Sequence, residues 1–353
     1  MPGNFREYEI TLHGKTRIAI VSDIASEIDG IAGRKIIFFP KSMKKTVVGI
    51  GFSETDIFGL NDGEELKSFS GIGGILEVLM NENLSRGDTV IALGGGSITD
   101  AVGYAASIFK RGVRLINIPT TLLGMVDAAI GGKTGINFMG KKNMLGCFYF
   151  PTHVLAYLPF LATLPENSYR DGLAEMVKYG FIMDSALIND MINNSNFLNR
   201  RDVEFLSRCI FRSMEDKMSV VIRDPMEMSG LRSILNFGHT IGHAIESATN
   251  YGITHGSAVS VGMAMETEFA EEAGYISGRL YYTVVKTLRA LSLPSSPREL
   301  PQPVEAPNIR EAMAHDKKSN GDHILMPVLE SIGHANIQKI PMKKLEEFVD
   351  SRF

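Results

Sequence analysis

The sequence contains 353 residues, enough for about two domains with a large buried core. Apolar residues make up 44% and charged residues 22%, the balance of an ordinary globular protein. With 36 Lys and Arg against 40 Asp and Glu, the formal net charge is −4, so no basic surface field favours a nucleic-acid partner.

The first part of the chain alternates predicted strands with predicted helices. Short apolar runs rich in β-branched and aromatic residues predict buried strands, and the stretches between them follow a helical pattern. Alternation of this kind is typical of an α/β domain with a Rossmann-like parallel sheet. The predicted strands are 35–39, 46–50, 89–93 and 114–118, and the predicted helices are 69–84 and 100–109.

The pattern becomes mainly helical from about Leu164 onward. We therefore expect an α/β domain over residues 1–160 and an all-α domain over residues 161–353, with a ligand cleft near their boundary. Five prolines between Pro294 and Pro307 predict an extended connection rather than another helix. The predicted helices are 168–183, 185–194, 202–224, 234–249 and 257–273.

Cysteine usage and hydropathy bear on the compartment. The two cysteines, Cys147 and Cys209, cannot form a disulfide framework, and their apolar neighbours predict buried thiols in a reducing compartment. The sequence has neither a basic-then-apolar leader nor an uncharged apolar run of about 18 residues. We therefore expect a soluble cytoplasmic enzyme with no membrane partner.

A glycine-rich segment, 93–100, follows a predicted strand and precedes a predicted helix. Its three glycines would let backbone N–H groups approach a pyrophosphate, and the helix N-terminus favours anions. The spacing is not G-x-G-x-x-G, so the ordinary Rossmann fingerprint is absent. A tight strand–helix turn without a ligand is the alternative interpretation. The polar segment 62–67 could supply further contacts or be an ordinary solvated turn.

His239 and His243 are four residues apart, on one face of a predicted helix, with His255 on the following loop and Glu175 upstream. Two imidazoles and a carboxylate suit Zn²⁺ with a position left open for substrate. A pair of satisfied core histidines is the alternative. A metalloprotease is disfavoured because Thr240 stands where the zincin motif requires glutamate.

Cations and glycines cluster in 131–137 and 140–143, and further cations occur at Lys217, Arg232 and 316–318. Ammonium and amide donors on flexible backbone are groups that hold phosphate, although paired lysines also occur on ordinary solvated surfaces. A dinucleotide turn, a metal set and many cations together indicate redox chemistry on a phosphorylated, hydroxylated, anionic substrate.

Several of these segments together resemble 3-dehydroquinate synthases, members of the sugar phosphate cyclase superfamily. The similarity covers 94–184 and 230–262, with a weaker match from Asp62 to the 316–318 stretch. The segments follow the order of the family, which makes the resemblance far more specific than any single motif. They are 94–100, 119–127, 131–135, 174–180 and 235–246.

The resemblance implies a metal site and a dinucleotide site. Glu175, His239 and His255 would bind Zn²⁺ or Co²⁺, and His243 would be available for proton transfer or phosphate contact. NAD would bind to the first domain, where the implied contacts are Asp62, Gly63, Glu64, Lys67, Gly95, Gly96, Ser97, Asp100, Thr120, Thr121, Lys133, Lys142, Phe160 and Thr163.

The resemblance also implies the substrate, 3-deoxy-D-arabino-heptulosonate 7-phosphate. Its phosphate would be held by Lys133, Asn143 and Lys178, with Arg111 reaching across from the second subunit of a homodimer. Asp127 would bond a ring hydroxyl. The carboxylate and nearby hydroxyls would be surrounded by Lys217, Arg232, Asn236 and either Lys317 or Lys318.

The implied reaction uses NAD without consuming it. NAD takes a hydride from C5, phosphate leaves by elimination, and the hydride is returned. The enol pyranose then opens and closes by an intramolecular aldol step to 3-dehydroquinate. The resemblance therefore implies a carbon–oxygen lyase of the shikimate pathway, in aromatic amino-acid and chorismate biosynthesis.

The chain departs from the family pattern in two places, one of which is an extra residue between Lys217 and Arg232, within 224–230. Lys41 follows the strand 35–39, where many members carry an acidic residue that meets the adenosine ribose. A cation there could accommodate a 2′-phosphate and hence NADP. A solvated loop is the simpler interpretation, and we expect NAD.

Three other functions are compatible with parts of the pattern. Another sugar phosphate cyclase would share the metal set and the glycine turn but alter Asn143, Lys217, Arg232 or Asn236. A metal-dependent polyol or glycerol-1-phosphate dehydrogenase would not explain segment 131–135 together with the cations. A scaffold protein without catalysis would leave buried charge without a ligand to offset its cost.

Overall fold

A twisted sheet forms the centre of the first of two units into which the chain divides. This unit comprises Met1–Leu164 with Lys217–Met226. The computed structural model describes residues 4–10, 14–52, 56–320 and 322–353, with 314–320 described by their backbone alone. The strands of the first unit are β1 (Phe5–Ile10), β2 (Gly14–Ile20), β3 (Lys35–Pro40), β4 (Ile57–Leu60), β5 (Thr89–Gly94), β6 (Arg114–Pro119), β7 (Lys133–Phe138), β8 (Lys141–Phe148) and β9 (His153–Ala156).

Seven of these strands pair in the order β1-β2-β9-β6-β5-β3-β4. β1 is antiparallel to β2, and every other pair in this sheet is parallel. β7 and β8 form a separate antiparallel hairpin. All six residues of β5 are buried, as expected for a central parallel strand. The helices of this unit are α1 (Ile24–Asp29), α2 (Lys44–Gly49), α3 (Phe69–Asn81) and α4 (Gly96–Ile108).

Most predicted elements of the first unit are confirmed, but the strand predicted for 46–50 is wrong. Residues 46–49 belong to the helix α2, Ile50 is its C-cap, and only Val47 of the segment is buried. Two adjacent valines and an isoleucine made the stretch look like a buried strand, whereas its burial is confined to one side. β3 pairs with β5 on one side and on the other with β4, a strand that was not predicted.

The second unit, Pro165–Asp216 with Glu227–Phe353, is built mainly of helices. The five helices predicted here are confirmed, but the one predicted for 234–249 begins only at His239, because Gly238 has a left-handed φ of +79°. His255, predicted on a loop, is the first residue of its helix. The prediction of an extended connection through Pro307 is wrong at its end, since a helix begins at Ala306. The helices are α5 (Glu166–Ile182), α6 (Ser185–Asn193), α7 (Ser195–Asn199), α8 (Val203–Val221), α9 (His239–Ala248), α10 (His255–Glu272), α11 (Leu280–Ala290), α12 (Ala306–Asn320) and α13 (Met342–Asp350). The last residues of α8 belong to the first unit.

An antiparallel hairpin interrupts the helical pattern of the second unit. It consists of β10 (His323–Ser331) and β11 (His334–Pro341), so this domain is helical with one hairpin rather than strictly all-α. Pro327 lies inside β10 and argues against a strand in the sequence. A two-stranded sheet tolerates it because each strand has an unpaired edge. Met326 and Ile340 of the hairpin join the apolar core formed by α9, α10, α12 and α13.

The cysteines differ in their environments. Cys209 is buried, and burial raises the pKa of its thiol to about 12. Cys147 is only half-buried, and its sulfur lies 3.1 Å from the Ser107 hydroxyl, which corrects the prediction that both thiols sit in apolar surroundings. Among the described residues, no helix combines the length and apolar character needed to cross a bilayer.

Candidate active site

Two histidines and a glutamate meet in the second unit. Glu175 is fully buried in α5, and His239 and His255 are the first residues of α9 and α10. Oε1 of Glu175 lies 3.1 Å from Nε2 of His255 and 3.5 Å from Nε2 of His239. One ligand atom from each of the three residues lies within 4.8 Å of the other two. The structure thus brings together the three residues predicted to bind a metal.

The helices that begin at these histidines approach each other through glycines. A Cβ atom at Gly262 would stand 1.9 Å from the Gly238 carbonyl oxygen, and one at Gly242 would stand 3.0 Å from the Val259 Cα. Gly238 also has a φ of +79°, in the left-handed region that favours glycine. These glycines fix where α9 starts against α10, and hence where His239 is placed.

Each of the two histidines has a partner for its second ring nitrogen. Nδ1 of His255 lies 3.2 Å from the Glu246 carboxylate, and Nδ1 of His239 lies 3.1 Å from the Phe237 carbonyl oxygen. Because a carbonyl oxygen only accepts, Nδ1 of His239 carries the proton. The Nε2 lone pair is then directed toward Glu175. Contacts of this kind orient metal-ligating histidines in many proteins.

The charges around the cluster favour a cation. Burial, followed by the charge of Lys178, holds the pKa of His239 well below its usual value, so this imidazole is neutral. Burial also lowers the pKa of His255, but the carboxylates of Glu175 and Glu246 outweigh it and raise the pKa to about 10. A divalent cation would take the place of that proton. Lys178 forms an ion pair with Glu175 from the next turn of α5.

The donor set fits a divalent transition metal. Two imidazole nitrogens and one carboxylate oxygen are a ligand combination found in catalytic zinc sites, and three protein ligands leave positions for a substrate oxygen. A second set, His243, Glu246 and His255, meets the same distance criterion but shares His255. His243 itself is exposed, with its ring centroid 5.1 Å from that of His239.

In the first unit, the glycine-rich turn connects β5 to α4. Gly95 precedes the first residue of α4 and has no side chain to cap it. A Cβ atom at Gly94 would lie 2.6 Å from the Ile98 side chain, and one at Gly95 would lie 3.3 Å from Thr121. The turn therefore presents backbone N–H groups and the positive end of the helix dipole without side chains in the way.

The polar loop 62–67 contacts the start of α4. The Ser97 hydroxyl donates to the Asp62 carboxylate at 2.7 Å, and Gly63 has a φ of +103°. Lys67 is 4% exposed, and its Nζ lies 2.8 Å from the Asp100 carboxylate. Burial raises the pKa of Asp100, and the neighbouring ammonium opposes that rise. The structure thus brings five of the residues predicted to contact NAD into one region.

Lys67 also connects this region to the β7–β8 hairpin. Its ammonium donates to Oδ1 of Asn143, whose φ is +57° and whose backbone N–H donates to Asn137 Oδ1 at 2.9 Å. The Asn137 amide in turn donates to Glu64 at 2.6 Å. Since Oδ1 of Asn143 accepts from lysine, its amide NH₂ group is oriented to donate elsewhere.

A buried lysine pairs with Asp127. Lys217 is 6% exposed, and its Nζ lies 2.7 Å both from the carbonyl oxygen and from Oδ1 of Asp127. Asp127 lies in a single π-helical turn, a local geometry often found at functional sites. Lys217 and Asp127, both predicted to contact the substrate, are therefore hydrogen-bonded to each other.

The other predicted residues of the first unit occupy turns and the hairpin. Arg111 ends a short 3₁₀ turn after α4 and has a φ of +64°. Gly96 is the first residue of α4. The rest are Thr120 and Thr121 directly after β6, Lys133 at the start of β7, Lys142 in β8, and Phe160 and Thr163 in the 3₁₀ turn Leu158–Thr163.

In the second unit, Lys178 lies in α5, and Arg232 and Asn236 lie in the 3₁₀ turn Leu231–Asn236. Arg232 is 2% exposed. Lys317 and Lys318 belong to α12, but their side chains lie outside the described residues.

Sequence analysis assigned no role to three carboxylates around the histidines. Glu246 lies seven residues after His239, about two turns along α9, so the two residues share one side of the helix. This spacing could have indicated that Glu246 lies near the histidines. Asp171 accepts the backbone N–H of Gly256 at 2.8 Å, next to His255. Glu266 accepts the backbone N–H groups of Gly238 and Ile241. Its only signal is a charge within a largely apolar helix.

Comparison with known proteins identifies the family. A profile described as 3-dehydroquinate synthase N-terminal matches residues 57–171, and one described as 3-dehydroquinate synthase C-terminal matches residues 172–319. A 3-dehydroquinate synthase from Sulfolobus acidocaldarius is 41% identical over 347 residues, which is 97% of each chain. The chain belongs to the 3-dehydroquinate synthase family.

Solved structures agree with this assignment at the level of the fold. A 2-epi-5-epi-valiolone synthase from Streptomyces hygroscopicus subsp. jinggangensis 5008, with NAD⁺ and Zn²⁺ bound, matches with a TM-score of 0.83 at 25% identity, covering 95% of each chain. A 2-deoxy-scyllo-inosose synthase complexed with carbaglucose-6-phosphate, NAD⁺ and Co²⁺ matches with a TM-score of 0.84 at 23% identity, covering 99% of this chain and 100% of the other. The family therefore shares its fold with other cyclases.

Proposed function

We propose that this protein converts 3-deoxy-D-arabino-heptulosonate 7-phosphate into 3-dehydroquinate and phosphate, with NAD and Zn²⁺ or Co²⁺ as cofactors. The observation that carries the proposal is the cluster of Glu175, His239 and His255 in a chain of this family. A carbon–oxygen lyase with a transient redox step needs both a metal and a dinucleotide site, and the chain has residues suited to each.

The metal site is assigned to these three residues because their donor atoms converge. When bound, the metal polarises substrate hydroxyl groups, and NAD accepts and later returns a hydride. Glu175 supplies the negative charge, and the neutral imidazole of His239 supplies a lone pair. Glu246 and the Phe237 carbonyl hold the two rings in the orientation that binding requires.

The dinucleotide site is assigned to the turn between β5 and α4. Gly95 and Gly96 would bring backbone N–H groups to the pyrophosphate, where the helix dipole stabilises negative charge. Asp62, with Ser97 bonded to it, and Lys67 line the loop beside this turn. The remaining contacts proposed for NAD are Gly63, Glu64, Asp100, Thr120, Thr121, Lys133, Lys142, Phe160 and Thr163.

The phosphate of the substrate is assigned to Lys133, Asn143 and Lys178, and to Arg111 of a second copy in a homodimer. The Lys67 contact supports the role of Asn143, because it occupies Oδ1 and leaves the amide NH₂ group as the donor toward other groups. The strained backbone at Arg111 supports a functional role there, since such conformations often persist at functional sites. Fixing an anion by several cations contributes positioning.

The hydroxyl and carboxylate groups are assigned to the remaining polar residues. Lys217 donates to Oδ1 of Asp127 at 2.7 Å and so fixes the carboxyl group that we assign to a ring hydroxyl. The exposed His243, beside His239, is positioned to move a proton. Arg232, Asn236 and either Lys317 or Lys318 would bind the carboxylate.

The proposed binding roles are divided between the two domains of the chain. We assign NAD binding to the α/β domain, 1–160, and metal and substrate binding to the helical domain, 161–353. A cytoplasmic location belongs to the proposal. Family membership in a biosynthetic enzyme class supports it.

One assay separates this function from its alternatives. Metal-loaded protein is mixed with catalytic NAD and the heptulosonate phosphate, and phosphate release and NADH absorbance are followed together. Many turnovers of phosphate release without net NADH, abolished by a chelator, are expected. Stoichiometric NADH would indicate a dehydrogenase instead. Turnover only with other sugar phosphates would indicate a different cyclase.

A further inference from the structure

Glu266 is a buried carboxylate in α10 that the proposed reaction does not use. The residue is 1% exposed, and its two oxygens accept backbone N–H bonds from Gly238 at 2.8 Å and from Ile241 at 3.1 Å. Burial raises its pKa to about 8, and these backbone donors oppose the rise. Burying such a group is costly unless it is well bonded. Its bonds go to the first turn of the helix that carries His239.

The peptide bond between Phe237 and Gly238 joins Glu266 to His239. The N–H group of this peptide donates to Glu266, and its carbonyl oxygen accepts from Nδ1 of His239. Because a peptide unit is planar, fixing one end fixes the direction of the other. A hydrogen bond at the N–H also polarises the carbonyl and strengthens it as an acceptor. The carboxylate and the histidine are thus connected through one rigid unit.

Nδ1 of His255 is also held by a carboxylate, but through a direct contact. Its Nδ1 faces the Glu246 carboxylate at 3.2 Å with no peptide between them. In both histidines Nδ1 is held by the protein, and Nε2 faces Glu175. The similarity of the two arrangements indicates a shared purpose, which is to set the ring orientation and the protonation of each nitrogen.

We propose that Glu266 is a positioning residue of the metal site, which acts on His239 through the peptide between Phe237 and Gly238. This inference rests on the proposed metal-binding role of Glu175, His239 and His255. Glu266 touches neither metal nor substrate. It holds the N-terminus of α9 so that Nδ1 of His239 stays protonated and Nε2 stays a ligand.

The variant Glu266→Gln tests the proposal. Glutamine is close in size but has one accepting oxygen, so one backbone N–H group would face an amide NH₂. Loss of an orienting partner of this kind typically weakens metal binding about 10- to 100-fold. We expect that loss in a competition titration with a chromophoric chelator. We also expect a changed visible spectrum of the Co²⁺-loaded protein at saturating metal, and unchanged NAD affinity.

Glu272→Gln is the matched control. Glu272 lies on the same helix and forms an ion pair with Arg352, away from the histidines. Its variant should keep the metal affinity and the Co²⁺ spectrum of the unaltered protein. Equal affinity and an unchanged spectrum in Glu266→Gln would overturn the proposal while leaving the proposed function intact. Failure of the unaltered protein to bind metal at these residues would overturn both.

A measurement on the unaltered protein covers the case in which Glu266→Gln does not fold. In the metal-loaded protein with ¹⁵N-labelled histidine, His239 should show a protonated Nδ1 and a metal-bound Nε2, assigned with a His239→Asn variant. The amide proton of Gly238 should be protected from exchange by its bond to Glu266. A metal-bound Nδ1, or a freely exchanging Gly238 amide, would contradict the inference.

Discussion

The glycine turn of the first unit and the histidine cluster of the second solve different binding problems. The turn offers backbone N–H groups, and its sequence matters because Gly94 and Gly95 leave space. The cluster offers side-chain atoms, and its geometry depends on residues that hold each ring, such as Glu246. A binding site made of backbone N–H groups is therefore sensitive to added side-chain atoms. A binding site made of side chains is sensitive to the loss of atoms, both from the ligands and from the residues that orient them.

The largest expected effect is the loss of a ligand from the cluster. His255→Asn removes one of three proposed ligands, so activity should fall by more than the roughly 10- to 100-fold typical of changes behind the ligands. Bound metal should fall in parallel, as measured by elemental analysis after dialysis. His243→Asn is the control and should retain the metal while losing turnover. Full metal content in His255→Asn would remove that residue from the ligand set.

The next effect tests whether the first unit also depends on a side-chain pair. Lys67→Met leaves Asp100 near the turn without its ammonium partner. We expect a loss of about 2 kcal/mol in the free energy of unfolding, below the 3–5 kcal/mol of fully buried pairs because Asp100 is partly exposed. Denaturant titration measures this change.

The double variant with Asp100→Asn sharpens the same test. It should regain most of the lost stability, because neither charge is then left alone. NAD binding and turnover should stay impaired, since the orientation of Asn143 also depends on Lys67. Full recovery of turnover in the double variant would show that the lysine acts through stability alone.

Adding side-chain atoms to the glycine-rich turn should weaken the binding of NAD. In Gly95→Ala the new Cβ atom would stand 3.3 Å from Thr121 and at the entrance to the first turn of α4. We expect NAD affinity to fall about tenfold, equal to 1.4 kcal/mol, with unchanged metal affinity. Gly73→Ala, in α3 with open space around it, is the control and should leave NAD binding unaltered. Weakened metal binding in Gly95→Ala would break the distinction between the two regions.

The smallest effect concerns a partly buried carboxyl group outside both regions. Burial raises the pKa of Asp216 to about 7, with the charge of Asp184 adding to the rise. The native state therefore binds more protons than the unfolded chain between about pH 4 and pH 7, so this group makes stability fall as pH rises through that window. Asp216→Asn should raise the free energy of unfolding at pH 8 by at least ~1 kcal/mol. An identical pH dependence of stability in both proteins would count against the raised pKa.

Local patterns predicted most of the fold and the identity of the clustered residues. The strands β3, β5 and β6 and the helices α5, α6, α8, α9 and α10 follow from apolar periodicity. The conformation of segment 46–50 was predicted wrongly because only one side of it faces the core. The strand containing Pro327 was not predicted because proline is compatible with a strand only where one edge of that strand is unpaired.

The choice of the ligands and the residues that orient them were harder to predict. The pattern grouped Glu175 with three histidines, but Glu175 and His255 are 80 positions apart, and only the resemblance to a family selected both as ligands and left out His243. Glu266 is harder still, since its contact with Gly238 exists only because glycines let α9 and α10 approach closely. Sequence periodicity describes one helix at a time, whereas such contacts arise from the crossing of two.

The division of α8 between the two units constrains how this protein can be cut or recombined. A fragment ending at Leu164 would contain Asp127 but not Lys217, which lies about fifty residues further along and completes that pair. The α/β unit is thus discontinuous in the gene. Exchange of the N-terminal half between relatives would carry the aspartate without its lysine, so hybrids should be joined after Met226 rather than at the visible change from sheet to helix.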